Sequence, residues 1–419
     1  MVGWLTLSLL MIDPSAARTD VSGGASTEVR GGWAPTTPTS ESTPAFTLLV
    51  TPNIDLQHRH RRRGTVRLGY APRMFLRLPN LLSVQRPLIL HQIELDYARP
   101  LTRAWQFATN VQGRIGELDY TAAGTAFDPG QTNIPNVSVL SLAIVDGAVG
   151  FVGALNPQTS LTLGAGGGTR RQLSDAGDQG ILAQSYGNFT VGPAFSLSAR
   201  DDLQAGATVS LIDFDPGALF VAVDARLAWV HSIRSSLRLS LDAGVFITRV
   251  AARQDDPTGI DGATFPVGGI GLDGTMIARS NYSIGGGIAG SVFGVFDAAS
   301  GRLLYRTMLN TGITAFFPPR WSAGIEASFV TAISREPLDD SAGFVEPETL
   351  VNLRTPITYT IDRTKALEFG VLAGARAPHL AADSFDTTRY EAWLYVAFRI
   401  AGSTARGGRE VRRRSIGTY

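Results

Sequence analysis

Charged side chains occupy alternate positions within otherwise apolar stretches of this sequence of 419 residues. In residues 219–231, for example, they are Asp224 and Arg226. Groups with this spacing can form ion pairs between neighbouring strands, or they can line a water-filled channel and set its charge selectivity. The same alternation selects eight arginines and eight acids along the chain: Arg67, Arg73, Arg226, Arg238, Arg306, Arg354, Arg376 and Arg399, with Asp55, Glu94, Asp96, Asp146, Asp224, Asp242, Glu326 and Glu368.

Sequence patterns for catalysis or metal binding are absent. The chain has no cysteine, which excludes disulfides, thiolate metal sites and a thiol nucleophile. The five histidines are not accompanied by a Gly-x-Ser-x-Gly motif. Residues 269–274 and 285–290 match Gly-x-Gly-x-x-Gly, but no helix follows as a dinucleotide site requires; these glycines are interpreted as places for bends or close packing in strands. We therefore expect no enzymatic activity, no cofactor and no metal.

Two kinds of charged cluster lie between the apolar stretches. Residues 58–63 combine two histidines with four arginines; a solvated turn is the main interpretation, and binding of an anionic polysaccharide or lipid headgroup is the alternative. Zinc would need further ligands from elsewhere in the chain. The acidic clusters in residues 255–261 and 336–346 lack a calcium-loop consensus and are interpreted as solvated loops.

The alternation also defines the elements that position the charges. Every odd position from Leu219 to Trp229 and from Leu237 to Ile247 is apolar, and a polar turn at residues 232–236 separates the two runs. A period of two predicts strands with one apolar and one polar face. Each run has about the length that crosses a bilayer as a tilted strand, whereas no apolar run approaches the roughly 20 residues of a transmembrane helix.

Seventeen such strands are evident between residues 45 and 401, and residues 29–33 could add a short first strand. Because a bacterial single-chain barrel has an even number of strands, we predict an all-β fold, a closed antiparallel transmembrane β-barrel of about 16–18 strands. The predicted organisation is a signal peptide at residues 1–17, a flexible N-terminal segment at residues 18–44, the barrel at residues 45–401 and a basic C-terminal tail at residues 402–419. The basis for the signal peptide is a short apolar run at residues 3–12 followed by Ser15, Ala16 and Ala17 as a small-residue cleavage site.

Tight turns alternate with longer, acidic connections along the chain. The turn at residues 318–320 and the connection at residues 335–347 are examples. Outer-membrane barrels have short periplasmic turns and longer external loops, which predicts the sidedness of every connection. Three tryptophans fall beside tight turns, where an interfacial aromatic girdle is expected: Trp105, Trp229 and Trp321.

The repeated hairpins and the aromatic-rich run EAWLYVAFRI at residues 391–400 resemble those of Gram-negative outer-membrane β-barrels. Residues 50–75 are similar to the early strands of barrels associated with exopolysaccharide export clusters. The chain departs from the usual pattern because residues 402–419 follow the last strand. The resemblance implies the bacterial outer membrane as the location, with its lipid and the barrel assembly machinery as partners.

A barrel of 16–18 strands leaves an aqueous channel unless a segment fills it. The expected function is therefore passive, porin-like passage of small hydrophilic solutes, with the alternating charges as pore lining. The alternative is a structural or export-accessory barrel without an open pore, for example in polysaccharide secretion. A net charge of +1 gives no reason to expect a nucleic-acid partner, and the sequence does not indicate an oligomeric state.

Overall fold

A computed structural model of the chain describes residues 17–35, 42–60, 64–79, 86–119, 139–173, 182–215, 218–253, 262–279, 281–296, 303–334, 349–377 and 389–403. The regular secondary structure in these residues is β-strand throughout, as the period-two alternation predicts. In this part of the chain no helix is long and apolar enough to cross a membrane.

Nineteen strands are present in the described residues. In chain order they are β1 Ala17–Pro35, β2 Ser42–His60, β3 Gly64–Tyr70, β4 Arg73–Leu78, β5 Leu88–Pro100, β6 Trp105–Asp119, β7 Val139–Asn156, β8 Thr159–Gln172, β9 Ala183–Ser196, β10 Asp201–Asp215, β11 Ala218–Arg234, β12 Leu237–Arg253, β13 Gly262–Ala278, β14 Ser283–Phe296, β15 Leu303–Phe317, β16 Trp321–Ser334, β17 Thr349–Thr360, β18 Lys365–Ala377 and β19 Arg389–Ser403.

These strands form one antiparallel sheet that closes on itself. The ring is closed by β1 and β19, which pair from Ser22 opposite Ser403 to Trp33 opposite Ala392. Strands β3 and β4 share a single position, because both pair with β2 and β5 without a change of register. The interruption between them falls at Pro72, which has no N–H to donate to a neighbouring strand. The nineteen strands therefore occupy eighteen positions, which confirms the predicted closed barrel.

The N-terminal region departs from the prediction. A flexible segment was expected over residues 18–44, with at most a short strand at residues 29–33, whereas β1 is 19 residues long. It pairs with β2 along its whole length, from Ala17 opposite His60 to Pro35 opposite Ser42. Glycine, serine and threonine interrupt the apolar alternation in β1, so its sequence lacks the usual signature of a strand, and pairing on both sides stabilises it instead.

The boundaries of the barrel change accordingly. The described wall runs from Ala17 to Ser403, which is wider than the predicted range of 45–401. Residues 1–16 of the predicted signal peptide and residues 404–419 of the predicted tail lie outside the described residues. The signal peptide and the tail therefore stay predictions.

The two ends of the barrel differ in their connections. At one end, here called the turn end, short turns such as residues 235–236 and 318–320 join the strands. In the turn at residues 361–364, the carboxylate of Asp362 accepts hydrogen bonds from the hydroxyl and the backbone N–H of Thr364, both at 2.7 Å. The bond from the hydroxyl lowers the pKa of Asp362. At the opposite end, here called the loop end, the described strands are separated by longer stretches of sequence, such as residues 335–348 between β16 and β17, which are outside the described residues.

The two faces of the wall have different chemistry. Along β19, Trp393 and Tyr395 are buried on the inner face, whereas Leu394 is 69% exposed and Val396 is 51% exposed on the outer face. Soluble monomers rarely expose large continuous apolar patches, and a band of this kind is the lipid-facing surface of a membrane barrel. Similarly exposed apolar residues occur around the ring, for example Ile93, Val145, Phe189, Ile270 and Ile325.

Aromatic side chains border the apolar band at the turn end. Trp321 is 48% exposed and its ring centroid lies 4.7 Å from that of Tyr359. The indole N–H of Trp229 donates a hydrogen bond to Asp201 at 3.2 Å. Such rings combine an apolar body with a polar edge and suit the membrane–water interface. This arrangement is the one expected of the predicted tryptophan girdle.

A compact apolar cluster fills one side of the loop end. The ring centroids of Phe214 on β10 and Phe296 on β14 are 6.0 Å apart, although three strands separate β10 from β14. At a strand spacing of about 4.8 Å, these residues are roughly 19 Å apart along the wall. The wall therefore bends sharply inward here and narrows the loop end. The buried members of this loop-end cluster are Phe214, Phe220, Ala222, Phe246, Ala263, Val267, Phe296 and Leu303.

We expect the loop end to face the cell exterior, as the lengths of the connections predict. An epitope tag inserted in residues 335–348 should be labelled by antibody on intact cells. A tag in the turn at residues 318–320 should be labelled only after the outer membrane is permeabilised. Labelling in the reverse order would mean that the barrel is inserted with the opposite sidedness.

Candidate channel lining

Arg67 on β3 stands at the centre of one charged group on the inner face. Its guanidinium lies 2.6 Å from a carboxylate oxygen of Asp55, 3.6 Å from Glu94 and 3.5 Å from Asp96. The carboxamide of Asn110 donates a further hydrogen bond to Asp96 at 2.5 Å. Three carboxylates around one arginine leave this part of the wall with a net negative charge. The four charged side chains are between 25% and 37% exposed, so they are accessible from the lumen.

A second group surrounds Arg226 on β11. Its guanidinium nitrogen Nε lies 2.7 Å from Asp224, and Nη1 lies 3.7 Å from Asp242 on β12. Its backbone is paired with Gly206 on one side and Gly244 on the other. Neither neighbour has a side chain that could limit the path of the long arginine. The sequence predicted these three charged residues as pore lining, and the structure brings them together.

A third group centres on Glu368 of β18, whose side chain is only 6% exposed. Its carboxylate forms ion pairs with Arg354 and, at 2.9 Å, with Arg399. The hydroxyl of Tyr395 donates a hydrogen bond to the same carboxylate at 3.1 Å. Here one acid balances two arginines, so this part of the wall has a net positive charge. The three groups together give the lumen regions of opposite sign.

The other predicted lining residues are dispersed. Asp146 accepts a hydrogen bond from Tyr186 at 2.7 Å, and Arg306 is fully buried beside the ring of Phe293 at the edge of the loop-end cluster. Arg238 is exposed and its backbone is opposite Asp273. Arg73 and Glu326 form no ion pair with a described residue, and the side chain of Arg376 is outside the described part of the structure.

Sequence reasoning missed several charged residues of the inner face. Arg30 and Glu28 form an ion pair on β1, a strand that the alternation did not reveal. Arg77 is buried, with its guanidinium carbon 5.9 Å from the ring centroid of Trp393. Arg114 on β6 is paired with Gln92 on β5, and both lie on the inner face. The period-two rule places Arg77 on the same face as Arg67 and Arg73, but Arg77 was not included among the predicted lining residues; the same rule along β6 selects Arg114.

A cavity of about 800 Å³ lies against the inner face. Residues of β12 to β19 and of β1 border it, so it follows almost half of the ring. The two glycine motifs noted in the sequence pair with each other across β13 and β14, and Gly271 and Gly287 from them line this cavity. Its polar lining includes Arg30, Asn310, Glu326, Asn352, Arg354 and Glu391.

Replacement of Glu368 with glutamine should reduce the free energy of unfolding by about 1–3 kcal/mol, because it removes the charge that Arg354 and Arg399 share in a largely buried position. Urea titration of the barrel refolded in detergent would measure the change. Glu326→Gln is the matched control, because Glu326 is exposed and forms no ion pair with a described residue. Equal loss of stability in both variants would contradict a structural role for the Glu368 group.

Comparison with known proteins places the fold. No protein-family model and no curated protein sequence matches this chain. Among solved structures, the chain is similar to the copper transporter OprC, with a TM-score of 0.51 over 92% of this chain and 80% of that one, at 7% identity. The fold is that of an outer-membrane β-barrel. With lipid-facing residues outside and charges inside, an outer-membrane barrel satisfies all its backbone hydrogen bonds within the bilayer.

Two further solved structures are similar at lower TM-scores. Pseudomonas aeruginosa OpdL has a TM-score of 0.45 at 10% identity, covering 92% of this chain and 99% of that one. Acinetobacter baumannii OccAB4 has a TM-score of 0.43 at 10% identity, covering 93% of this chain and 100% of that one.

Proposed function

We propose that this outer-membrane barrel is a passive channel for small hydrophilic solutes. The observation that supports the proposal most directly is the solvent-accessible charge on the inner face. Around Arg67 the side chains of Glu94 and Asp96 are 37% and 36% exposed, although they point away from the lipid. In a closed barrel, side chains on the inner face can be accessible only from the lumen. Charges of this kind set the selectivity of a water-filled pore.

The proposed partners follow from the two faces. The apolar outer face contacts outer-membrane lipid, and the inner face contacts the transported solute. We also propose that the barrel assembly machinery inserts the chain, as it does for proteins of this architecture. The proposed role is transport and involves no enzymatic chemistry.

A structural or export-accessory barrel, for example one that serves polysaccharide secretion, is the second candidate. The loop-end cluster favours it, because eight buried apolar residues pack together where an open channel would be wide. A hydrophobic constriction can stop conduction by excluding water. The two candidates therefore differ in whether ions pass steadily through the barrel.

Recordings from single barrels in planar lipid bilayers test the proposal. We expect stable conductance steps that grow in proportion to the salt concentration, because the lumen is hydrated. A reversal potential measured across a salt gradient gives the ion preference. Correctly folded barrels that insert but never conduct would refute the channel and favour the accessory role.

A further inference from the structure

A second cavity, of about 490 Å³, lies near the turn end of the lumen. It extends from the turn at residues 361–364 along the wall to Arg73 on β4. Four cations border it, and Asp362 is the one acid among its described lining residues. The remaining lining is mostly small or polar. The four cationic residues are Arg73, Arg363, Lys365 and Arg399.

Arg73 forms no ion pair with a carboxylate of the described residues, in contrast to Arg67 and Arg354. Arg67 is close to three acids and Arg354 shares Glu368. Arg114 on β6 is the nearby charged residue on the inner face: it is paired with Gln92 of β5, two residues from Leu90, which is paired with Arg73. Arg73 is also exposed to the lumen. Neither Arg73 nor Arg114 forms an ion pair with a carboxylate of the described residues. Their guanidinium N–H groups can therefore donate hydrogen bonds to an anion.

The sheet register places a shallow floor between Arg73 and Arg399. Arg399 pairs with Ser26, and Ser26 pairs with Thr51; the register of β2 with β4 then brings Arg73 next to Thr51. Three strand spacings separate the backbones of the two arginines, roughly 14 Å. The serine and threonine between them are short and have hydroxyl donors. Ser26 and Thr51 therefore form the floor of a depression, and the long side chains of Arg73 and Arg399 stand at its two sides.

Arg399 is available as the second side of this depression. It contacts Glu368 at 2.9 Å, but that carboxylate is shared with Arg354, and the side chain of Arg399 remains 52% exposed. On the far side of Arg73, a smaller adjoining cavity is lined by Arg114 and by two of the acids around Arg67, Asp55 and Glu94. The positive region is thus bounded by a negative one.

We propose that the cavity between Arg73 and Arg399, here called the arginine cradle, is a binding site for solutes that carry a carboxylate or phosphate group. The planar guanidinium offers paired N–H donors that match two oxygens of either group. Ser26 and Thr51 supply further donors from below. The inference specifies a solute class for the proposed channel, but binding at the cradle does not require that the pore conducts.

Binding is tested on the purified, folded barrel in detergent, with inorganic phosphate and succinate as separate probes. Line broadening of the phosphorus and carbon NMR signals of these probes reports contact with the protein. We expect saturable broadening that Arg73→Gln and Arg399→Gln each weaken by about tenfold or more, because a charge-assisted hydrogen bond is lost. Ser26→Asp should abolish binding by placing a carboxylate in the cradle itself.

The matched control is Arg234→Gln, which removes the same charge at the turn end of β11, across the ring from β1. It should bind both probes within about twofold of the unaltered protein. The shift of the folded band on unheated gels shows which variants have assembled. Saturable binding of either probe that disappears in Arg73→Gln and Ser26→Asp supports the cradle. Absence of binding of both probes, or unchanged binding in these two assembled variants, overturns it.

Failure of the cradle and failure of the channel give different results. A barrel that binds phosphate in this way but never conducts would retain the cradle and refute the channel. A barrel that conducts, yet shows no binding or equal binding in Arg73→Gln and Arg234→Gln, would retain the channel and refute the cradle.

Discussion

Replacement of Gly244 with alanine is expected to lower the stability of the folded barrel by about 1–3 kcal/mol, the usual cost of overpacking. An added Cβ atom would lie 2.1 Å from the carbonyl oxygen of Ala225 and 2.8 Å from the Cα of Arg226. Both atoms belong to the backbone of β11, so no side-chain rotation relieves the clash. The two strands would have to separate at the Arg226 group. Urea titration of refolded protein would measure the effect.

Gly206 provides the matched control for this prediction. It lies opposite Arg226 on the other side of β11, and a Cβ atom there would meet no atom within 4 Å. Gly206→Ala should therefore be within about 0.5 kcal/mol of the unaltered protein, as expected for a substitution away from packed features. Equal destabilisation by the two alanines would show that the close approach of β11 and β12 is not the cause.

Replacement of Ile325 with arginine should destabilise the inserted barrel by about 2–4 kcal/mol, the cost of a lipid-facing arginine near the bilayer midplane. Ile325 is 58% exposed on the outer face. It lies four residues from Trp321 of the girdle, roughly 13 Å along a tilted strand, and therefore deep in the apolar band. The loss would be measured in lipid vesicles as a lower yield of folded barrel, which is the band that shifts on heating, and as unfolding at a lower urea concentration.

Ser328→Arg is the control, because it introduces the same side chain on the inner face of the same strand. Ser328 borders the cavity of about 800 Å³, where water can hydrate the new charge. We expect this variant to assemble like the unaltered protein. If Ser328→Arg were disruptive and Ile325→Arg were tolerated, the assignment of inner and outer faces on β16 would be inverted.

The sequence was sufficient to predict the closed barrel, because a face buried in lipid requires apolar residues at every second position. Strands such as β11 and β12 satisfy that requirement throughout. Strand β1 does not, since its glycines, serines and threonines reduce the contrast between its faces. Residues 18–44 were therefore predicted as a flexible segment with a possible short strand at residues 29–33 only. The hydrogen bonds that hold β1 come from β2 and β19, and single-strand patterns contain no information about partners.

For a related reason, the sequence alone could not predict which charged side chains are neighbours. Alternation predicted that Arg67 and Arg73 face the lumen, but it treated them as equivalent. Their surroundings depend on register, which places Arg67 opposite Asp96 and Arg73 opposite Leu90. Shifting a strand pair by two residues would preserve both faces and exchange all the charged neighbours. The charge groups and the arginine cradle therefore required the pairing of strands to be known.

The pairing of β1 with β19 has a consequence for assembly. The two strands that close the ring are separated by more than 350 residues of chain, so their contact is among the most distant in sequence that the protein can form. Before they meet, the growing sheet has two edges whose N–H and C=O groups are unpaired. Hydrocarbon offers these groups no hydrogen bonds, and each costs several kcal/mol there. A partly built sheet is thus unstable in the bilayer, and insertion is coupled to closure of the ring.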